Sequence, residues 1–499
     1  MAARLNSGNL SSPKKTPAKR ADQVQDYTNY DAMGLAELVA KKEVSPKELM
    51  TEALSRAEKA KAELNCVSAL FPDIAERQIE AGLPDSPLSG VPFMTKDLGT
   101  EIKGAPLTSG SRLFKDNVAL RNSTLVERYR KAGIVTFGQT TSPEYGLTTS
   151  TESALFGKTR NPWNLERTSG GSSGGASAAV ASGVLPLAQA SDGGGSIRIP
   201  AACTGLFGMK PSRGRIPMGP LRTEGWGGLS TVHAVSRSVR DSAVLMDLTH
   251  GREVGARYRT DRPQMSFLQA TKRCQTLRVG LWVNAPNGTR PDPDAHKGLY
   301  DTVRLLQDLG HTVEDADPHL EGEVLGKALV TNIAANIAVM VDTRARALGR
   351  EIREDDLEPV TQSMARLGRT MPMDSLVRAD HAFQEAAIKF EAWMDEGDYD
   401  VCLMPTLSRA PVELGVLSLT PEDSDAYTEA VTTFAPHCAV FNMIGAPAMS
   451  VPLHWTKDNL PLGMMFGARH GEEALLFGLA GQLEEARPWF DRTAPVFYE

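Results

Sequence analysis

The sequence predicts an α/β fold in a single domain, and three observations carry that reading. Helix-like and strand-like segments alternate along the chain, which is the pattern of α/β proteins. No internal repeat and no dividing linker interrupts the alternation, although 499 residues would allow several domains. Two long stretches, 168–191 and 430–456, contain no Asp, Glu, Lys or Arg in a chain that is 23% charged. Gly, Ser, Pro and Thr are too frequent in both for a bilayer helix, and His437 interrupts the second. Burial inside a globular body accounts for them.

The elements follow in order. Residues 1–27 are expected to form a disordered basic tail, with the folded domain over 28–499. The first 20 residues carry five basic and no acidic side chains and lack an apolar h-region. From Ser45, "SPKELMTEALSRAEKAKAEL" predicts a helix: Ser45 and Glu48 have capping-box spacing and Pro46 stands at the first helical position. "GVPFMTKDL" predicts a short buried strand over 91–95 that delivers Lys96 at its end. Around 123–139, "STLVERYRKAG" and "IVTFGQT" read as helix, glycine stop and strand. "GASAAVASG" (175–183) is a helix of small residues that lets backbones approach closely. "LRVGLWV" is a strand, "DAHKGLYDTVRLLQDLG" a helix and "HTVEDA" a strand, with a short turn cluster around 283–295. Helices are expected over 322–350 and 374–396, buried strands at 400–405 and 446–452, and a last helix in "EEALLFGLAGQLEEA".

Composition bounds the function. A net charge of −7 does not suit a nucleic-acid binder, and 41% hydrophobic residues supply a sizeable core. The five cysteines, Cys66, Cys203, Cys274, Cys402 and Cys438, are odd in number, dispersed and free of CxxC pairs. That argues against a disulfide framework and a zinc site, makes apolar packing their expected role, and makes a reducing cytoplasm the expected compartment. No metal and no cofactor is expected, because no HExxH-like spacing, phosphate loop or GxGxxG after a strand occurs. "GKT" at 157–159 lacks the glycine the phosphate loop needs at 152, which is Glu.

The candidate chemistry lies in the glycine-rich region. "GGSSG" (170–174) and "GSSGG" (171–175) match the GxSxG elbow, but the loop-like "NPWNLERTS" precedes them where an elbow needs a strand. None of the nine histidines sits in a setting that marks it as a base. A serine with a lysine remains. Lysine is a base only when neutral, so its pKa must fall from about 10.4 to about 7–8, which burial in apolar surroundings achieves. Lys96, following "GVPFMT", has that setting; a salt bridge to Asp97 or another carboxylate is the competing reading.

Residues 168–199, "TSGGSSGGASAAVASGVLPLAQASDGGGSIRI", resemble the signature of the amidase signature family of serine hydrolases. "GVPFMTKDL", "NPWN", "GLFGMKPSRGRIP", "SRSVRDSAVLMD", "YDVCLMPT", "NMIGAPAMSVPL" and "LPLGMMFGARHGEEALLFGLAGQLE" fall in the family's order, and the resemblance covers about residues 30–490. It implies a central mixed, twisted β-sheet covered by helices on both faces. It also implies a Ser–Ser–Lys triad: Ser196 at the end of "GGGS" as nucleophile, Ser172 as the bridging serine, which in the family follows a cis peptide bond, and Lys96 as the base. Gly193, Gly194 and Gly195, with the Ser196 amide, are expected to form the oxyanion hole, although the family usually has another residue type at 193.

Lesser expectations attach to the neighbours. Asp192 and Arg198 are expected to pair and brace the loop, Ser173 to be a loop hydrogen bonder, and Cys203 to pack. Trp226 is read either as lining the acyl pocket or as a packed loop tryptophan, and the family resemblance makes 144–153 a pocket wall. Met340, Met364, Met371 and Met373 are read either as packed in helix cores or as lining an apolar, adaptable pocket, with helix cores the expected place. The resemblance points to hydrolysis of small amides or carbamates, nearest the aminohexanoate cyclic dimer hydrolases, aryl acylamidases and carbamate-cleaving relatives. The expected partner is a small molecule, with no nucleic acid and no membrane, and a homodimer is left open. The competing functions are the glutamine-hydrolysing subunit of a tRNA-dependent amidotransferase and an inactive binding scaffold.

Overall fold

A computed structural model describes residues 26–498. Nearly all of the expected tail therefore lies outside the described residues. Tyr27, at its expected end, is buried, and its hydroxyl donates to Val184 O at 3.2 Å.

Alternation of helix and strand builds an eight-stranded mixed sheet. In spatial order its strands are Thr312–Asp315, Arg278–Leu281, Val401–Pro405, Pro461–Gly467, Ala448–Trp455, Phe207–Lys210, Thr231–Ser236 and Leu187–Asp192. The first three run parallel and the remaining pairs are antiparallel. Helices Arg198–Thr204, Val239–Thr249, Pro293–Asp308 and Glu473–Ala486 flank it. The fold is thus the mixed α/β body that the sequence predicts.

A second, three-stranded sheet orders Val67–Leu70, Val135–Thr140 and Pro92–Lys96. Its edge strand Pro92–Lys96 lies beside the edge strand Leu187–Asp192 of the large sheet. The Lys96 amide donates to Gln189 Oε1 at 2.6 Å across that seam. The seam is what brings Lys96 to the glycine-rich region.

Local sequence explains the supporting elements. Helix Pro46–Glu63 starts where Ser45 accepts from the Glu48 amide and Glu48 accepts from the Ser45 amide. Helix Gly174–Ala181 is buried on every side, which only small residues allow at such close approach. Residues 168–190 are buried without interruption, so the charge-free stretch is core. The segment 322–396, with no strong sequence pattern at its centre, forms helices Gly322–Leu348, Pro359–Thr370 and Asp374–Glu396 packed on one another. Met373 is 92% exposed there, so its expected place in a helix core does not hold: it precedes Asp374–Glu396 rather than lying on its inner face. Helix Gly322–Leu348 is long and apolar enough to cross a membrane, but it lies against its two neighbours with part of its apolar surface buried between them. The five cysteines are free thiols, four of them buried.

Candidate active site

Strand Pro92–Lys96 is buried along its length and ends with the Lys96 side chain inside the protein. Three serine hydroxyls surround its amine: Ser172 Oγ at 2.7 Å, Ser173 Oγ at 3.0 Å and Ser191 Oγ at 3.1 Å. Among the described residues no carboxylate pairs with it. The salt-bridge reading fails because Asp97 turns away to accept from the Thr108 amide at 2.6 Å and from the Thr108 hydroxyl. Burial, only partly opposed by the field of Asp192, brings the Lys96 pKa down to about 7.

Hydrogen-bond chemistry then sorts the three serines. A neutral amine has two protons to donate and one lone pair to accept with. Ser173 Oγ gives its own proton to Ser191 O at 3.2 Å, so it can only accept from Lys96. Ser172 and Ser191 keep hydroxyl protons that no protein acceptor takes, and Ser172 stands at the shorter distance. The Gly171–Ser172 peptide is cis. Gly146 closes over this serine: a Cβ there would stand 3.0 Å from Ser172 Oγ, and Gly146 has φ +72°. The 144–153 segment therefore packs on Ser172, with Ser150 against Gly171.

On the other side of strand Leu187–Asp192, Asp192 organises the loop that carries Ser196. Its carboxylate accepts from Arg198 Nε and Nη2, both at 2.9 Å, from the Gly195 amide at 2.7 Å and from the Ile197 amide at 3.1 Å. Burial pushes this carboxyl up, but the Arg198 guanidinium with its hydrogen bonds and Lys210 outweigh that and hold it well below the usual range. The expected Asp192–Arg198 brace is present and fully buried.

One expectation needs correction. Gly195 does not have a free amide for an oxyanion, because that N–H is given to Asp192. Its glycine is required instead by φ +128° and by Ile199 and Cys438, which a Cβ would meet at 2.6 and 2.7 Å. Among the described residues the amides of Gly193, Gly194 and Ser196 donate to no protein atom, so these three are the donors left. Gly194 and Ser196 are half-buried while Gly193 and Gly195 are buried, so the loop shows its centre to solvent at these two positions. A Cβ on Gly193 would stand 2.8 Å from the Trp226 ring, which places Trp226 directly beside the loop.

The structure thus brings Lys96 and Ser172 together and adds Ser173 and Ser191. Ser196 stands at the far end of the same loop and, among the described residues, makes no hydrogen bond to Ser172. Ser191 escaped the sequence reading, yet a period-two rule finds it: Gln189 and Ser191 share the strand face that meets Lys96, and Asp192 takes the opposite one.

Residues 48–477 match the family model described as Amidase. The chain belongs to the amidase signature family. It is 33% identical over 476 residues to the 6-aminohexanoate-cyclic-dimer hydrolase of Paenarthrobacter ureafaciens, covering 93% of this chain and 96% of that one. A solved structure of 6-aminohexanoate cyclic dimer hydrolase complexed with substrate superposes with a TM-score of 0.89 at 32% identity, covering 95% of this chain and 100% of that chain. A bacterial aryl acylamidase of the amidase signature family superposes with a TM-score of 0.83 at 27% identity, covering 94% and 99%. The amidase is therefore a hydrolase of amide C–N bonds.

Proposed function

We propose that this amidase cleaves small, largely apolar amides, of the anilide, cyclic amide or carbamate type, through a Ser196–Ser172–Lys96 triad and an acyl-enzyme. The observation that carries the reading is the amine of Lys96, buried without a carboxylate, brought down to about 7 and 2.7 Å from Ser172 Oγ. Likeness to a cyclic dimer hydrolase and an aryl acylamidase supports the substrate class.

Ser196 Oγ attacks the carbonyl carbon. Ser172 takes its proton and passes its own to neutral Lys96, a relay that needs a hydroxyl because only a hydroxyl both gives and takes. The oxygen of the tetrahedral intermediate meets the free amides of Gly193, Gly194 and Ser196, and preset donors of this kind typically contribute several kcal/mol. The lysinium returns its proton through Ser172 to the departing nitrogen. Water then repeats the sequence and releases the acid. The Ser172–Ser196 link closes when substrate binds, as catalytic hydrogen bonds often tighten only in the complex.

A panel of p-nitroanilides, carbamates, cyclic amides and free glutamine tests this on wild type and Ser196→Ala. Hydrolysis of the neutral amides by wild type, lost in Ser196→Ala, is the expected result. Activity on glutamine alone would point to the amidotransferase-subunit role, and activity surviving in Ser196→Ala would remove Ser196 as nucleophile.

A further inference from the structure

We propose that Asn442 is a positioning residue for catalysis, the side chain that fixes the oxyanion-binding face of the Gly193–Ser196 loop. The proposal rests on the acyl-enzyme reading above. Asn442 lies on the short helix Cys438–Met443, is buried, and has no line of approach through solvent. Its two Nδ2 protons face three oxygens, Asp192 O at 2.9 Å, Asp192 Oδ1 at 2.9 Å and Leu229 O at 3.0 Å, so one proton is shared between two of them. Its Oδ1 accepts from Arg198 Nη2 at 2.7 Å. With acceptors on one side and a guanidinium on the other, only this amide orientation satisfies every partner.

Two consequences follow for the loop. Nδ2 grips both the main-chain and the side-chain oxygen of Asp192, so it sets the rotation of that carboxylate. The same Oδ1 then takes the Gly195 amide at 2.7 Å. With Gly195 tied back at φ +128°, the amides of Gly193, Gly194 and Ser196 remain unspent. The Leu229 bond holds the second wall. Leu229 ends the turn whose Trp226 ring stands against Gly193. Arg213 clamps Asn442 to that turn as well, giving Nη2 to Asn442 O at 2.8 Å and Nε to Gly228 O at 2.6 Å. One carboxamide therefore joins the nucleophile loop to the turn that covers it. Aspartate at 442 would set a second anion against Asp192, and leucine would leave Asp192 O and Leu229 O without this donor.

The test counts sites before it measures rates. Full-length wild type, Asn442→Ala and Asn442→Ser are labelled to completion with a fluorophosphonate, and intact mass gives the fraction of reactive Ser196. Serine is the milder variant and serves if alanine does not fold. Per labelled site, kcat on a p-nitroanilide should fall by about 10- to 100-fold, the scale of a misplaced catalytic contact. KM should stay within about threefold, and inhibition by a trifluoromethyl ketone, which forms an oxyanion on Ser196, should weaken by the same factor as kcat/KM. A purely structural role would lower the labelled fraction or the melting temperature and leave the per-site kcat at the wild-type value, and that result would overturn the proposal. Wild type that takes no probe at Ser196 would overturn the acyl-enzyme reading and this proposal with it.

Discussion

Placing a carboxylate at position 191 tests the neutral-lysine base most directly. Ser191 Oγ lies 3.1 Å from Lys96 Nζ, so Ser191→Asp sets an anion about 4 Å from the amine, where two unit charges interact by about 4 kcal/mol at an effective dielectric near 20. Ser191 is half-buried, and solvent screening removes roughly half of that attraction. At 1.36 kcal/mol per pKa unit the shift is about 1.5 units. The sign is upward, because an opposite charge favours the ammonium. Lys96 in the wild type is half neutral at about 7, so kcat/KM for a p-nitroanilide should rise through that pH. In Ser191→Asp the rise should move up by about 1.5 units, and the neutral fraction at neutral pH should fall from about one half to about one in thirty. The assay is kcat/KM measured from about pH 5 to about pH 10, which reports the free enzyme's groups. Ser191→Asn, of similar size and uncharged, should keep the wild-type midpoint. An aspartate variant that loses amplitude but keeps the wild-type midpoint would refute the assignment of Lys96 as the titrating base.

Four further outcomes are expected. Lys96→Ala should slow amide hydrolysis by about 10³-fold or more and ester hydrolysis by about tenfold less than that, because an amine leaving group needs the returned proton more than an alcohol does; matched amide and ester substrates check this. Arg198→Ala leaves the buried Asp192 carboxylate without its cation and should cost about 3–5 kcal/mol in urea unfolding at neutral pH. Because Asp192 is held below its ordinary value, that penalty is full above the ordinary carboxylate range and shrinks as pH falls below it. Gly193→Ala brings a Cβ to 2.8 Å from the Trp226 ring and 3.0 Å from Ser230 Oγ, and should lower kcat/KM by about 10²-fold by displacing the amide or the ring. Gly194→Ala, whose Cβ meets only Ala439 Cβ at 4.0 Å, should leave the melting temperature unchanged.

What the sequence discloses depends on whether a local rule governs it. Helix Pro46–Glu63 is written in its capping box, and strand Pro92–Lys96 in an apolar run that ends on a lysine. Strands Leu187–Asp192, Phe207–Lys210, Thr231–Ser236 and Pro461–Gly467 carry no such signal. They are buried on both faces and rich in Ala, Gly, Ser and Met, so no polar–apolar alternation marks them. The Lys96–Ser172 pairing became readable through the motif order. The role of Asn442 did not, because Arg198 and Asn442 meet across a separation of 244 residues. No spacing rule reaches that far. Gly195 shows the opposite error: a glycine run suggested three equivalent donors, and a carboxylate three residues earlier takes one of them.

The amidase also contains a control for the proposed base. Lys210 is buried like Lys96, and its pKa is likewise brought down to about 7, by burial and by the field of Arg198 against that of Asp192. Desolvation therefore makes two amines that can be neutral near pH 7, and it does not choose between them. Their surroundings do. Among the described residues Lys210 Nζ donates only to Pro211 O, at 2.8 Å, and a carbonyl has no proton to give to an amine. Lys96 Nζ faces hydroxyls alone, and of the three only Ser173 gives its proton to another acceptor. A lowered pKa is thus a consequence of the interior that both lysines share, and only the seam between strands Pro92–Lys96 and Leu187–Asp192 sets one of them against serine hydroxyls.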